Sequence, residues 1–151
     1  MFRGANKVTL DAKGRMAMPA RYRDFLVERS EGRLVATVDR ADRCLLIYPL
    51  PDWEEIERKL MRLPTLNPQA RRLQRLMVGH ATDLELDSHG RVLVPPKLRE
   101  YAGLTRQAML IGQGSRFELW DELHWNERRD AWLQAGEEPG ELPAELGQLS
   151  L

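Results

Sequence analysis

The chain has 151 residues and a mass of 17.5 kDa, and its 23 basic side chains are balanced by 23 acidic ones. Hydrophobic residues, at 42%, suffice for a folded core, and a charged fraction of 30% that is mixed in sign argues against wholesale disorder. One cysteine, Cys44, excludes an internal disulfide framework, and with three scattered histidines it excludes a cysteine-rich zinc module.

In chain order, Met1 to Lys7 holds no apolar stretch of the kind a secretion signal carries. Val8 and Leu10, then Met16 and Met18, alternate with polar or small neighbours, the period of a half-buried strand. Between these arms lies Asp11-Ala12-Lys13-Gly14, where Gly can take positive φ and Asp can bond nearby backbone N–H groups. Pro19 ends the second arm and opens a short helix over about 19–28, with Tyr22, Phe25 and Leu26 inward. Strands near 33–38 and 43–48 follow, the second enclosing Cys44 in the core. The run Cys44 to Tyr48 is strand-length, far below the roughly 20 residues of a membrane span. A soluble, cytoplasmic protein is expected.

Residues 51–80 read as a helical linker. Pro51 opens a helix with Trp53, Ile56 and Leu60 on one stripe, and Asn67-Pro68 caps a second with Leu73, Leu76 and Met77 inward. Arg71, Arg72 and Arg75 lie off that stripe, toward solvent. Leu84, Leu86, Val92 and Val94 then repeat the alternation of the first arms around Asp87-Ser88-His89-Gly90, and Pro95 opens a helix over about 95–102. Asp121 caps a last helix carrying Trp125, Trp132 and Leu133. From Gly136 to Leu151 the chain holds four Glu and no basic residue, which reads as a mobile acidic tail.

The two halves are related. Leu10, Asp11, Gly14, Arg15 and Pro19 recur as Leu86, Asp87, Gly90, Arg91 and Pro95, all offset by 76 positions, and Arg23 recurs as Arg99. Five matches in one ten-residue window indicate two copies of one unit, at 1–50 and 81–135, with the linker between and the tail at 136–151. Each copy is too small to close a core alone, so the copies are expected to interlock in pseudo-twofold fashion, each lending a hairpin to the other's barrel-like core. The fold class is mainly β with α.

Charge is unevenly spread. Residues 1–23 carry six basic side chains and one acid, whereas residues 101–151 carry four basic and nine acidic ones. One face should therefore attract polyanions. Arg15, just after Gly14 on a short turn, presents a fork that can pair two acceptors on guanine or bridge phosphates. Arg3, Lys7, Lys13 and Arg21 would contact phosphates, which position a protein on DNA without reading sequence. Two roles stay open for Arg15 and Arg91, DNA contact or an ion pair closing the turn with Asp11 or Asp87. The basic stretch around Arg15 favours DNA; Asp83, Glu85 and Asp87 beside Arg91 weigh for the ion pair.

Met1-Phe2-Arg3-Gly4, Leu10-Asp11-x-Lys13-Gly14-Arg15 with Pro19, and Asp87-x-x-Gly90-Arg91 with Pro95 resemble the MraZ family of bacterial transcriptional regulators. The resemblance extends through Leu45 to Pro51 and Phe117 to Trp120, nearly the whole chain. It implies an AbrB-like, double-psi-type swapped-hairpin β-barrel duplicated in one chain and flanked by helices. It further implies ring-shaped homo-oligomers that bind repeated double-stranded DNA sites upstream of the division and cell-wall gene cluster as a nucleoid-associated repressor. The DNA-contacting positions carry over to Arg15, with Lys13 and Arg3 beside it, and to Arg91; His89 stands where the first motif has Lys13.

Other functions have less support. Asp11 and Asp87 could pair as catalytic carboxylates, but no nucleophile–base set or phosphate-cradling loop accompanies them. His80, His89 and His124 lack ligand spacing, so neither metal nor cofactor is expected, nor a small-molecule substrate. An oligomeric scaffold or antitoxin-like partner binder of the same fold is the alternative reading.

Overall fold

The computed structural model describes residues 1–136 and 148–149, so the acidic tail predicted at 136–151 lies almost wholly outside the described residues. In chain order the elements are β1 (Phe2–Thr9), β2 (Arg15–Ala17), α1 (Ala20–Ser30), β3 (Arg33–Val38), β4 (Leu45–Pro49), α2 (Leu50–Met61) and α3 (Pro68–Met77). There follow β5 (Thr82–Glu85), β6 (Arg91–Leu93), α4 (Pro96–Tyr101), β7 (Gln107–Gly114), β8 (Arg116–Asp121) and α5 (Glu122–Ala135).

Six strands form one antiparallel sheet in the order β1-β7-β8-β4-β3-β5, and β2 pairs with β6 in a separate two-stranded ribbon. Exchanging the halves of the chain leaves this pairing list unchanged. β1 lies on β7 as β5 lies on β3, while β4 meets β8 and β2 meets β6. The halves are thus joined through shared ladders.

The strands flanking the first turn meet at the isolated bridge Leu10↔Met16 and take their ladders from the other half. The expected barrel is corrected: the sheet does not close, because among the described residues β1 and β5 are each paired on one side only.

Alternation in the central strands explains the layering. Leu34, Ala36, Val38, Leu45, Ile47, Leu110, Phe117 and Leu119 face the main core with Met16, Met18, Val92 and Val94 of the ribbon, Tyr22 and Leu26 of α1 and Leu98 of α4. Phe2 stacks on Phe117 there, ring centroids 4.1 Å apart. The intervening residues Val35, Leu46 and Tyr48 face α2 and α3 with Trp53 and Leu60. Ile111 and Trp120, with Cys44, pack against Trp125 of α5. A strand covered on both sides needs no polar face, which is why β4 reads as a continuous apolar run and β3 as one interrupted by Thr37, whose hydroxyl donates to the Met77 carbonyl.

Caps fall where the side chains can make them. The Asn67 carboxamide accepts from the Gln69 and Ala70 amides, and the Asp121 carboxylate from the His124 amide. The predicted inward face of α1 is narrower than expected. On α1 the buried stripe is Tyr22, Leu26 and Ser30, an i, i+4, i+8 line that leaves Phe25 beside it and 43% exposed. On α5, Trp132 sits edge-on to Trp120 and Trp125 while 44% exposed, and Leu133 is 76% exposed.

Candidate nucleic-acid interface

The sequence Asp-x-x-Gly-Arg builds the same turn twice. The Asp11 amide donates to the Arg15 carbonyl and the Gly14 amide to the Asp11 carbonyl, both at 2.9 Å. Asp11 Oδ1 accepts from the Lys13 and Arg15 amides, each at 2.9 Å, and Oδ2 from Arg15 Nε at 2.8 Å. In the second turn Asp87 Oδ1 accepts from the His89 and Arg91 amides at 2.8 and 2.9 Å, and Oδ2 from Arg91 Nε at 3.3 Å. Gly14 and Gly90 take φ of +89° and +74°, where a Cβ would be strained.

These bonds stabilise the carboxylates. The Arg15 amide, then its side chain and the Lys13 amide, hold the Asp11 carboxyl down at about 2. The Arg91 amide, helped by the His89 amide and the Arg91 charge, lowers that of Asp87. A carboxylate whose ionised form is stabilised in this way is a weak general base.

Each arginine therefore pairs with its own Asp through Nε. Among the described residues, the terminal Nη groups of Arg15 and Arg91 have no hydrogen-bond partner. The ribbon puts both on one face. Arg15 stands opposite Leu93 and Arg91 opposite Ala17, while Met16 and Val92 between them point into the core. The turns lie at opposite ends of the ribbon, where the Val94 amide donates to the Gly14 carbonyl and the Met18 amide to the Gly90 carbonyl, each at 2.9 Å. Arg15 and Arg91 line one open groove with Arg99 and Arg106.

The remaining sequence-predicted basic residues divide. Lys13 is exposed at the tip of the first turn, beside Arg15. Lys7 lines an adjoining groove with Arg23 that shares Thr9 and Ala17 with the first, and its Nζ lies 3.3 Å from Glu122 Oε2 without a hydrogen bond forming. Arg3 and Arg21 line a separate hollow beside Phe2 and Phe25, because β1 runs away from the ribbon along β7. There Arg21 donates to the Arg3 carbonyl and the Asn6 side chain and lies over the Tyr22 ring.

Sequence reasoning did not assign a role to Arg99, Arg106 or Arg23. For Arg23 and Arg99 the signal was present, since both keep the 76-residue offset of the repeat. Arg106 has no counterpart there; it enters the groove because its carbonyl accepts from the Leu10 amide at 2.8 Å. Among the described residues no three His, Cys, Asp or Glu side chains group as a metal site, and no helix is long and apolar enough to cross a membrane.

A mainly antiparallel β-protein with flanking helices and an arginine-lined ribbon groove is the class these features define. A family model described as "MraZ protein, putative antitoxin-like" matches residues 1–76 and again 77–135, and the chain belongs to the MraZ family. It is 59% identical over 152 residues to a protein of Halorhodospira halophila named Transcriptional regulator MraZ. Proteins of the same name from Pseudomonas aeruginosa (strain LESB58) and Thioalkalivibrio sulfidiphilus are 59% and 60% identical over 151 residues. Each alignment covers 100% of both chains.

Proposed function

We propose that this chain is a transcriptional regulator that binds double-stranded DNA in a sequence-specific manner through the ribbon groove. The observation that carries the proposal is the convergence of Arg15, Arg91, Arg99 and Arg106 on one open surface. Arg15 and Arg91 spend Nε on the turn and keep the planar Nη pair for base edges or phosphates. Lys13 adds a phosphate contact at the first turn; His89 makes the second turn less basic.

Short turns read few bases, so specificity requires several copies engaging repeated sites about one helical turn, roughly 10 bp, apart. A ring-shaped homo-oligomer with AbrB-like swapped units at 1–50 and 81–135 supplies that multivalency. The role proposed is repression of the division and cell-wall gene cluster, in the cytoplasm and on the nucleoid, without enzymatic chemistry. The names of the relatives support regulation of transcription. The description "antitoxin-like" favours a second reading, in which the same surface or the free edge of β1 holds a protein partner.

Selecting bound fragments of genomic DNA with the purified protein at moderate salt tests the proposal. A short element recurring in helical-phase copies is expected. Recovery indifferent to sequence, together with capture of a protein partner in the absence of nucleic acid, would overturn it in favour of the second reading.

A further inference from the structure

Arg23 and Arg99 belong to neither turn, yet each is built into the turn of the opposite half. Arg99, on α4, donates Nε to the Val94 carbonyl at 2.9 Å, and the amide of that same Val94 donates to the Gly14 carbonyl at 2.9 Å. Its guanidinium covers Gly14 so closely that a Cβ there would meet Nε at 2.5 Å and Cζ at 2.7 Å. Arg23, on α1, repeats the arrangement. It donates Nε to the Met18 carbonyl at 2.6 Å, the Met18 amide donates to the Gly90 carbonyl at 2.9 Å, and a Cβ on Gly90 would meet Arg23 Nε at 2.6 Å.

The contacts are crossed. An arginine of the second half closes the first turn, and an arginine of the first half closes the second. We propose that Arg99 and Arg23 are positioning residues for DNA binding, Arg99 fixing the aim of Arg15 and Arg23 that of Arg91. This rests on the DNA-binding reading above, and it assigns residues outside the Asp-x-x-Gly-Arg motif to the same site.

The chemistry requires arginine at both positions. The planar guanidinium donates from Nε while its flat face covers the glycine, whereas a lysine ammonium is a compact point charge on a flexible stem and cannot do both. Each glycine in turn must lack a side chain to admit the guanidinium. Arg99 also lines the groove, so a direct charge contact with phosphate is the competing role, and charge is what Arg99→Lys retains.

Arg99→Leu, Arg99→Lys and Arg23→Leu, compared with the unaltered protein by ¹H–¹⁵N NMR without DNA, test the positioning directly. Arg99→Leu is expected to shift the Lys13 and Arg15 amides and leave those of His89 and Arg91 in place; Arg23→Leu is expected to do the reverse. Amide changes confined to the variant's own half overturn the inference. Gel-shift titration on a duplex recovered by the genomic selection then reads its consequence. Each Leu variant should lose roughly tenfold in affinity for that duplex. Arg99→Lys is expected to behave as Arg99→Leu does; restoration of affinity by Lys would show a charge contact and sink the positioning role. Absence of sequence-dependent binding by the unaltered protein would instead overturn the DNA reading beneath it, whatever the amides do.

Discussion

Arg15 and Arg91 stand diagonally across the β2–β6 ladder, each opposite a small or apolar residue of the other strand, Leu93 and Ala17. Diagonal neighbours on one face of an antiparallel pair lie about 7–8 Å apart, which long side chains span easily. A duplex that accepts one guanidinium therefore meets the other, and the pair should behave as a unit.

Removing either arginine should then cost binding and not the fold. Arg15→Ala is expected to abolish specific binding in gel-shift titration while elution volume and thermal midpoint stay near those of the parent, since exposed ion pairs contribute little to stability. Retained operator affinity would count against the site.

Lys13 makes a different prediction. A phosphate contact weakens binding uniformly across sequences, and each one lost lowers the slope of log K against log salt by about 0.9. Lys13→Ala should show that change with base preference intact. An altered preference would place Lys13 on base edges instead.

The turn glycines should differ in their tolerance of a side chain. At Gly14 an added Cβ meets the Val94 carbonyl oxygen at 2.9 Å as well as Arg99, whereas the nearest atoms at Gly90 all belong to the Arg23 side chain. Both positions have positive φ, so either alanine costs about 1–3 kcal/mol. Gly14→Ala should be the worse, because backbone yields less than a side chain. Urea unfolding of the two variants checks the order.

The Asp11 carboxyl titrates at about 2 in the folded chain against 3.8 ordinarily. Between these values the unfolded chain binds a proton that the native chain does not, so acid drives unfolding there. The contribution is complete above 3.8, falls with pH, and is gone below about 2. The gap in thermal midpoint between the parent and Asp11→Asn should accordingly close as pH is lowered through this window. A gap that is constant with pH would mean the carboxylate does not hold the turn.

Local chemistry made much of this legible in the sequence. Asp11, Gly14 and Pro19 and their counterparts mark where arms end and turns begin, and Asn67-Pro68 and Asp121 mark helix starts, because caps and positive φ are local demands. Ladder partners were less accessible. The pairing of Arg15 with Leu93 joins residues 78 positions apart, and nothing within either arm states its register on the other. The crossing of Arg99 over Gly14 is equally nonlocal. Exposure of Phe25 escaped as well, since periodicity gives a helix face but not how wide a stripe of it the core covers.

The palindromic strand order has a consequence for how this molecule is assembled. A fragment ending at residue 76 would keep β1 to β4 yet lack β7, the ladder partner of β1, and β6, the partner of β2. Alone, it would need to encounter another such fragment at a rate set by dilution. Tethered in a single polypeptide, the complementary strands meet at an effective concentration on the order of millimolar, so the fold survives at copy numbers where separate halves would drift apart.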